Sequence, residues 1–163
     1  TCSASGTTLT HVKAHGALYH DIARDSEAAD AFLAAVLDVV KNIGSDLYVT
    51  GSPTSQLKSA ALARGVAFVS EAFIDRLYNP DGTLVSRSSP NAVHADPQAA
   101  IAQATSIALE GRVRVSDGSV IDLAAQTLCV HGDSPDAVAM ARAVHQQLTE
   151  HGVTISPISL VTH

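Results

Sequence analysis

The apolar positions of the chain fall into two alternating patterns. Phe32, Leu33, Val36, Leu37 and Val40 recur at i, i+1, i+4, i+5 and i+8, one face of a helix that starts near Asp25 or Ser26. Three further segments carry helix punctuation: Ser52-Pro53 opens a stretch closed by Gly65, Asp96-Pro97 one closed by Gly111, and Ser134-Pro135 one closed by Gly152. A Ser or Asp oxygen accepts from free backbone N–H groups, proline fits the first helical position, and glycine leaves the helix left-handed. Between the helices lie short, β-branched, mostly uncharged runs at 9–13, 47–50, 66–69, 127–130 and 153–155. Buried parallel strands have this character. In 112–123, Val113 and Val115 alternate, Asp117-Gly118 forms a turn, and Val120 and Leu123 follow, which predicts a small antiparallel hairpin. The order of elements predicts an α/β fold with right-handed crossovers, a barrel or an open sheet.

Composition narrows this picture. At 163 residues, one domain over 1–163 is expected. With 46% hydrophobic and 16% charged residues, disorder is excluded. Aromatic residues are only 4% and tryptophan is absent, so the core must be aliphatic. Sixteen acidic against ten basic residues give a net charge of −6, unsuited to nucleic acid or an anionic membrane. No apolar run approaches the roughly 20 residues that span a bilayer. Cys2 and Cys129 cannot make a disulfide framework; both are expected reduced, and with no signal peptide visible the cytoplasm is the expected location.

In α/β folds the site lies beyond the C-terminal strand ends. The first run leads into Lys13-Ala14-His15-Gly16, the second into Thr50-Gly51-Ser52, the third into Ser70-Glu71, the fourth into His131-Gly132-Asp133 and the fifth into Ser156-Pro157. Lys13, His15, Glu71, His131 and Asp133 are therefore expected on one rim. Lys13 at a strand end calls for an anion or a carboxylate, and Glu71 is a candidate partner. Gly132 lets backbone approach a ligand, and Asp133 can orient an imidazole or accept a proton. Taken alone, His15 also reads as an interior histidine bonded to a carbonyl, and Asp133 as a residue ahead of a helix cap. The long loop from Glu71 to Pro90 carries Asp75, Arg76, Tyr78, Asp81-Gly82 and Arg87. It reads as a lid whose arginines suit a carboxylate or phosphate, or as a solvated loop closed by Asp75–Arg76 or Asp81–Arg87 contacts. The chain has no phosphate-binding loop, no dinucleotide glycine motif and no nucleophile elbow. His11, His15 and His20 do not share a helix face, so they are not expected to hold a metal; His145, His151 and His163 read as surface residues.

Three ordered segments resemble the LamB/YcsF family. The run Thr10-His11-Val12-Lys13-Ala14-His15-Gly16-Ala17-Leu18-Tyr19 is similar to its V-K-P-H-G-A-L-Y-N signature. Glu71-Ala72-Phe73-Ile74-Asp75-Arg76-Leu77-Tyr78, with Asp81-Gly82-Thr83-Leu84 and Arg87, resembles E-x-F-x-D-R-x-Y-x-x-D-G-x-L-x-x-R, and Leu128-Cys129-Val130-His131-Gly132-Asp133 resembles I-C-V-H-G-D. Ala14 stands where the family has Pro and His20 where it has Asn; the family's N-terminal motifs do not occur, so the chain looks like the C-terminal two thirds of a member.

The resemblance implies a partial (β/α) barrel of the seven-stranded glycoside hydrolase/deacetylase type, with the hairpin as an excursion. It implies an open edge covered by a second copy or by residues 1–8. The implied reaction is ATP-dependent hydrolysis of 5-oxo-L-proline to L-glutamate, with magnesium accompanying ATP. Two allophanate-hydrolase-like subunits are the implied partners. In that reading Lys13, His15, His131 and Asp133 are catalytic. Gly16, Glu71, Asp75, Arg76, Tyr78, Arg87 and Gly132 bind substrate, and no tightly held metal is expected. Two alternatives stand beside it: a metal-dependent deacetylase or amidohydrolase assembled on His15, His131 and Asp133, and a truncated, non-catalytic metabolite-binding or regulatory protein.

Overall fold

The computed structural model describes residues 6, 8–44, 47–90, 92–94, 96–133 and 136–158. They form two compact units that divide between Ser70 and Glu71, within a chain whose length alone suggests one domain.

The first unit contains β1 (His11–Lys13), α1 (Ala17–Arg24), α2 (Ser26–Ile43), β2 (Tyr48–Gly51), α3 (Gln56–Ala63) and the beginning of β3 (Phe68–Phe73). β1 runs parallel to β2 with Lys13 opposite Thr50, and β2 runs parallel to β3 with Gly51 opposite Ser70. α2 starts where the sequence predicts, and Asp25 caps it, its carboxylate accepting from the amides of Glu27 and Ala28; Gly44 ends the helix at φ 63°. Leu33 and Val36 of the predicted face are buried, joined by Ala29, while Phe32, Leu37 and Val40 are half-buried. α2 packs against α1 and α3, and Ile22, Leu33, Val49 and Leu57 close the core.

One expectation for this unit is corrected, and one helix is added to it. The N-cap of α3 is Ser55, which accepts from the Lys58 amide. Ser52 instead supplies a turn, its carbonyl accepting from both the amide and the hydroxyl of Ser55. The sequence also gives no warning of α1. Its helix is short and begins at an uncapped glycine, so neither long periodicity nor a Ser/Asp cap announces it.

The second unit holds the end of β3, the long loop, α4 (Pro97–Glu110), β4 (Arg112–Arg114), β5 (Val120–Asp122), β6 (Thr127–Cys129) and α5 (Ala137–Glu150). The end of β3 runs parallel to β6, with Glu71 opposite Thr127 and Phe73 opposite Cys129. α4 has the predicted ends: Asp96 accepts from the Gln98 amide, Pro97 starts the helix, and Gly111 leaves it at φ 65°. β4 and β5 form the predicted antiparallel hairpin around Asp117-Gly118. Ile74, Ala100, Ala104, Met140, Val144 and Leu148 make the core, with Ile101, Leu128, Val130 and Val153 against it.

Two more expectations change here. β3 continues through Phe73, so Glu71 lies within a strand, buried, instead of at its end. Residues 153–158 form no strand. The amide of Val153 turns back to the Leu148 carbonyl and its side chain packs on the core, so its apolar character serves the end of α5. Four parallel strands thus stand where five are expected among the described residues. The predicted Ser134-Pro135 opening of α5 lies outside the described residues, as do Cys2 and His163.

Candidate functional site

The second unit builds its polar cluster where β3 and β6 end. One residue past Ile74, the buried Asp75 places both carboxylate oxygens on His131, at 2.8 and 3.0 Å from Nδ1, and accepts from the His131 backbone amide at 3.2 Å. A carboxylate can only accept, so this pairing puts the proton of a neutral imidazole on Nδ1 and leaves Nε2 as the nitrogen for proton transfer. Phe73 stacks on the imidazole, with ring centroids 5.2 Å apart and planes 18° from parallel. The ring is thus held by a carboxylate and an aromatic face while 24% of the side chain stays exposed.

Two residues on, Asp133 is exposed and bonds Arg87 Nη1 at 2.9 Å. That guanidinium holds the Asp133 carboxyl below the ordinary carboxylate range. Gly132 between them borders open space, and a side chain there would meet nothing. Its neighbourhood opens into a surface groove of about 500 Å³, lined by Val130, Val138, Ala141, Arg142 and His145.

The loop after β3 is not a loose lid. Antiparallel bridges pair Arg76 with Val93 and Tyr78 with Leu84. Arg76 is 2% exposed; its Nε donates to the Ala92 carbonyl at 3.3 Å and its Nη2 to the Val85 carbonyl at 2.6 Å. Burial, followed by the nearby Arg87 charge, pulls its pKa down from the usual guanidinium value. Tyr78 is equally buried, and its oxygen accepts from the Phe73 amide at 2.7 Å; burial pushes the phenol far up. Asp81 accepts from the amide and hydroxyl of Thr83 within a tight turn. The loop therefore holds itself with Arg76 and Tyr78, Asp75 turns to His131, and Arg87 turns to Asp133. Of the two contacts offered by the solvated-loop alternative, Asp75–Arg76 gives way to Asp75–His131 and Asp81–Arg87 to Arg87–Asp133.

The first unit presents a different group. Lys13 is half-buried, with Nζ 5.9 Å from the centre of the Tyr19 ring. His15 and Gly16 are exposed. Gly16 is the N-cap of α1 at φ 62°, a backbone conformation that side chains resist, and it offers no side-chain cap to the helix.

The structure brings together Asp75, His131, Asp133 and Arg87 in one unit, and Lys13, His15 and Gly16 in the other. Among the described residues no three His, Cys, Asp or Glu side chains gather closely enough to hold a metal ion. Sequence reasoning did not single out Phe73, His94 or Gln103. Gln103 had a readable signal: it sits on the buried stripe Ala100–Ala104–Ile107 of α4, where a polar side chain needs a reason.

Residues 1–163 match the sequence model of the LamB/YcsF family. The A subunit of 5-oxoprolinase from Nocardia farcinica is 44% identical over 152 residues, which cover 93% of this chain and 59% of that protein. The corresponding A subunit of 5-oxoprolinase from Methylococcus capsulatus is 42% identical over 155 residues, covering 95% and 58%. The crystal structure of the lactam utilization protein from Thermus thermophilus superposes with a TM-score of 0.83 at 38% identity, over 94% of this chain and 59% of that one. The chain thus spans less than two thirds of the length of these relatives.

Proposed function

Because the chain belongs to the LamB/YcsF family, we propose that it forms part of the A subunit of a 5-oxoprolinase, which opens the lactam of 5-oxo-L-proline to L-glutamate with consumption of ATP. The observation that carries this reading is the Asp75–His131 pair beside Asp133. An oriented, partly exposed imidazole next to an ionised carboxylate suits proton transfer during ring opening.

A lactam carbon is a poor electrophile. Transfer of the ATP γ-phosphoryl group to the amide oxygen releases ADP and leaves a carbon that water can attack. The ring C–N bond then breaks, the nitrogen takes a proton, and a second water hydrolyses the resulting acyl phosphate to glutamate and phosphate. In this scheme Asp133 orients or activates water, and His131 and His15 move protons. The positive charge of Lys13 stabilises the oxygen that carries developing negative charge. Arg87 takes the substrate carboxylate or a phosphate. Gly16 and Gly132 leave room for substrate to approach backbone. Arg76, Tyr78 and Glu71 support the site from buried positions, Arg76 and Tyr78 by holding the loop. ATP with magnesium is the co-substrate, bound in large part on other subunits.

The relatives are named as A subunits, which supports a multi-subunit enzyme, and for it we propose two allophanate-hydrolase-like partners. The parallel strands and the likeness to the lactam utilization protein support a partial α/β barrel, for which we propose the seven-stranded glycoside hydrolase/deacetylase type. A second copy or residues 1–8, most of which lie outside the described residues, would cover its open edge. Among the described residues no helix is long and apolar enough to cross a membrane, and the cytoplasm is the proposed location.

The test is ATP-dependent glutamate release from 5-oxoproline by the complete protein reconstituted with its partner subunits. Lys13→Ala and Asp133→Ala should each abolish release while the thermal unfolding midpoint stays put. Full turnover in both would refute the assignment.

A further inference from the structure

We propose that Gln103, backed by His94, is the positioning residue for the Asp75–His131 pair. The inference rests on the reading of that pair as proton-transfer machinery, and adds the device that fixes its geometry.

Four consecutive backbone carbonyls carry the proposal. Gln103 is 8% exposed on α4, and its amide nitrogen lies 2.8 Å from the Phe73 carbonyl, 3.2 Å from that of Ile74 and 2.8 Å from that of Arg76. The remaining carbonyl of this stretch, that of Asp75, accepts from the His94 amide at 3.0 Å. Two residues from one short sequence interval thus hold every carbonyl from Phe73 to Arg76, on both sides of the Asp75 α-carbon. With these fixed, the Asp75 side chain has few directions left, and both its oxygens meet His131.

The orientation of the Gln103 amide is itself determined. Three carbonyl oxygens can only accept, so the atom facing them is the NH2 group, whose two protons are shared among the three. Its oxygen then faces His94 Nε2 at 3.0 Å, and must accept from it. His94 therefore carries its proton on Nε2 and locks the amide against a flip. A flipped amide would set oxygen against three carbonyl oxygens, in a buried place where such a mismatch is costly. Packing alone asks for none of this: the neighbouring positions Ala100 and Ala104 are small and apolar.

A merely structural glutamine and a positioning one are separated by observing His131 directly. In the full-length protein the Gln103 side-chain amide protons should exchange far more slowly than those of an exposed glutamine. Exchange at the exposed rate would overturn the proposal with no variant needed. Gln103→Met keeps shape and removes the donors. It should shift and broaden the NMR signal of the His131 Nδ1 proton. In the reconstituted enzyme it should lower kcat by about 10- to 100-fold with KM within about 2-fold. His94→Ala, the milder change, should move the same signal less. Met140→Ala, a core substitution in the same unit, should lower the unfolding midpoint and leave the His131 signal in place.

An unchanged His131 signal in both Gln103→Met and His94→Ala would overturn the proposal, as would an equal shift in Met140→Ala. A shifted signal in Gln103→Met together with full turnover in His131→Ala would uphold the positioning role and refute the proton-transfer reading. Should Gln103→Met fail to fold, the amide exchange of the unaltered protein and the His94→Ala spectrum decide the matter.

Discussion

After β3, Arg76 and Tyr78 are each 2% exposed, and the carbonyls from Phe73 to Arg76 are all bonded. After β1, His15 is exposed and Gly16 starts α1 without a side-chain cap. Both segments follow a parallel strand and both carry residues to which the proposed reaction gives a part, yet one is braced from behind and the other stands open. A braced segment fixes a side chain before substrate arrives, so removing one of its braces changes stability and turnover together. An open segment takes its geometry from what binds it, so a substitution there changes turnover with little effect on the fold.

The largest effect should come from His131, the side chain that the braced segment holds through Asp75. His131→Ala in the reconstituted enzyme should lower kcat by about 10²- to 10⁴-fold, the usual worth of a positioned general acid or base. Steady-state glutamate release reads this, and a loss under tenfold would break the contrast between the two segments. Next, Arg76→Ala should cost about 2–4 kcal/mol in urea unfolding, because it leaves the Val85 carbonyl unpaired, takes one of two donors from the Ala92 carbonyl, which keeps the Leu77 amide, and opens a cavity. Were Arg76 instead a substrate ligand, Arg76→Lys would raise KM at unchanged stability.

In the open segment, Gly16→Ala should cost about 1–3 kcal/mol through its backbone alone, φ 62° with ψ −138°, since a side chain there meets nothing. A much larger loss would show that the segment is less open than it looks. For Arg87–Asp133, the pKa of Asp133 in the folded protein lies below its unfolded value because Arg87 donates to it. The pair's contribution is therefore fully present above the unfolded value of about 3.9, and is lost as pH falls through the lower folded value. An NMR titration of Asp133 should show this, and Arg87→Ala should move the midpoint back up. Smallest of all, His145→Ala should leave kcat and KM unchanged, although His145 lines the groove near Gly132. A raised KM would move the substrate into that groove.

Much of this contrast is legible in the sequence, and the rest is hidden for definable reasons. Asp25 and the Asp96-Pro97…Gly111 frame announce α2 and α4, because caps are local and act through the nearest amides. The Asp117-Gly118 hairpin is legible for the same reason. The strand over 153–155 is misread because an apolar triplet packs equally well behind a helix end as in a sheet. Among site residues, His131 and Asp133 stand out at a strand end. Arg76 looks like a ligand for anions because exposure is not written in a residue's type. Its actual bonds run to the carbonyls of residues nine and sixteen positions on, a distance over which periodicity says nothing. The same holds for Asp75 and His131, which are 56 positions apart.

The central claim is that Asp75 holds His131 in the tautomer that moves a proton. Asp75→Asn tests it most directly, since the amide keeps the size of the carboxylate and can no longer demand a proton on Nδ1. In the reconstituted enzyme, kcat for ATP-dependent glutamate release should fall by about 10²- to 10⁴-fold while circular dichroism and the unfolding midpoint stay close to those of the unaltered protein. Turnover within twofold of the unaltered enzyme, with the same fold, would contradict the account.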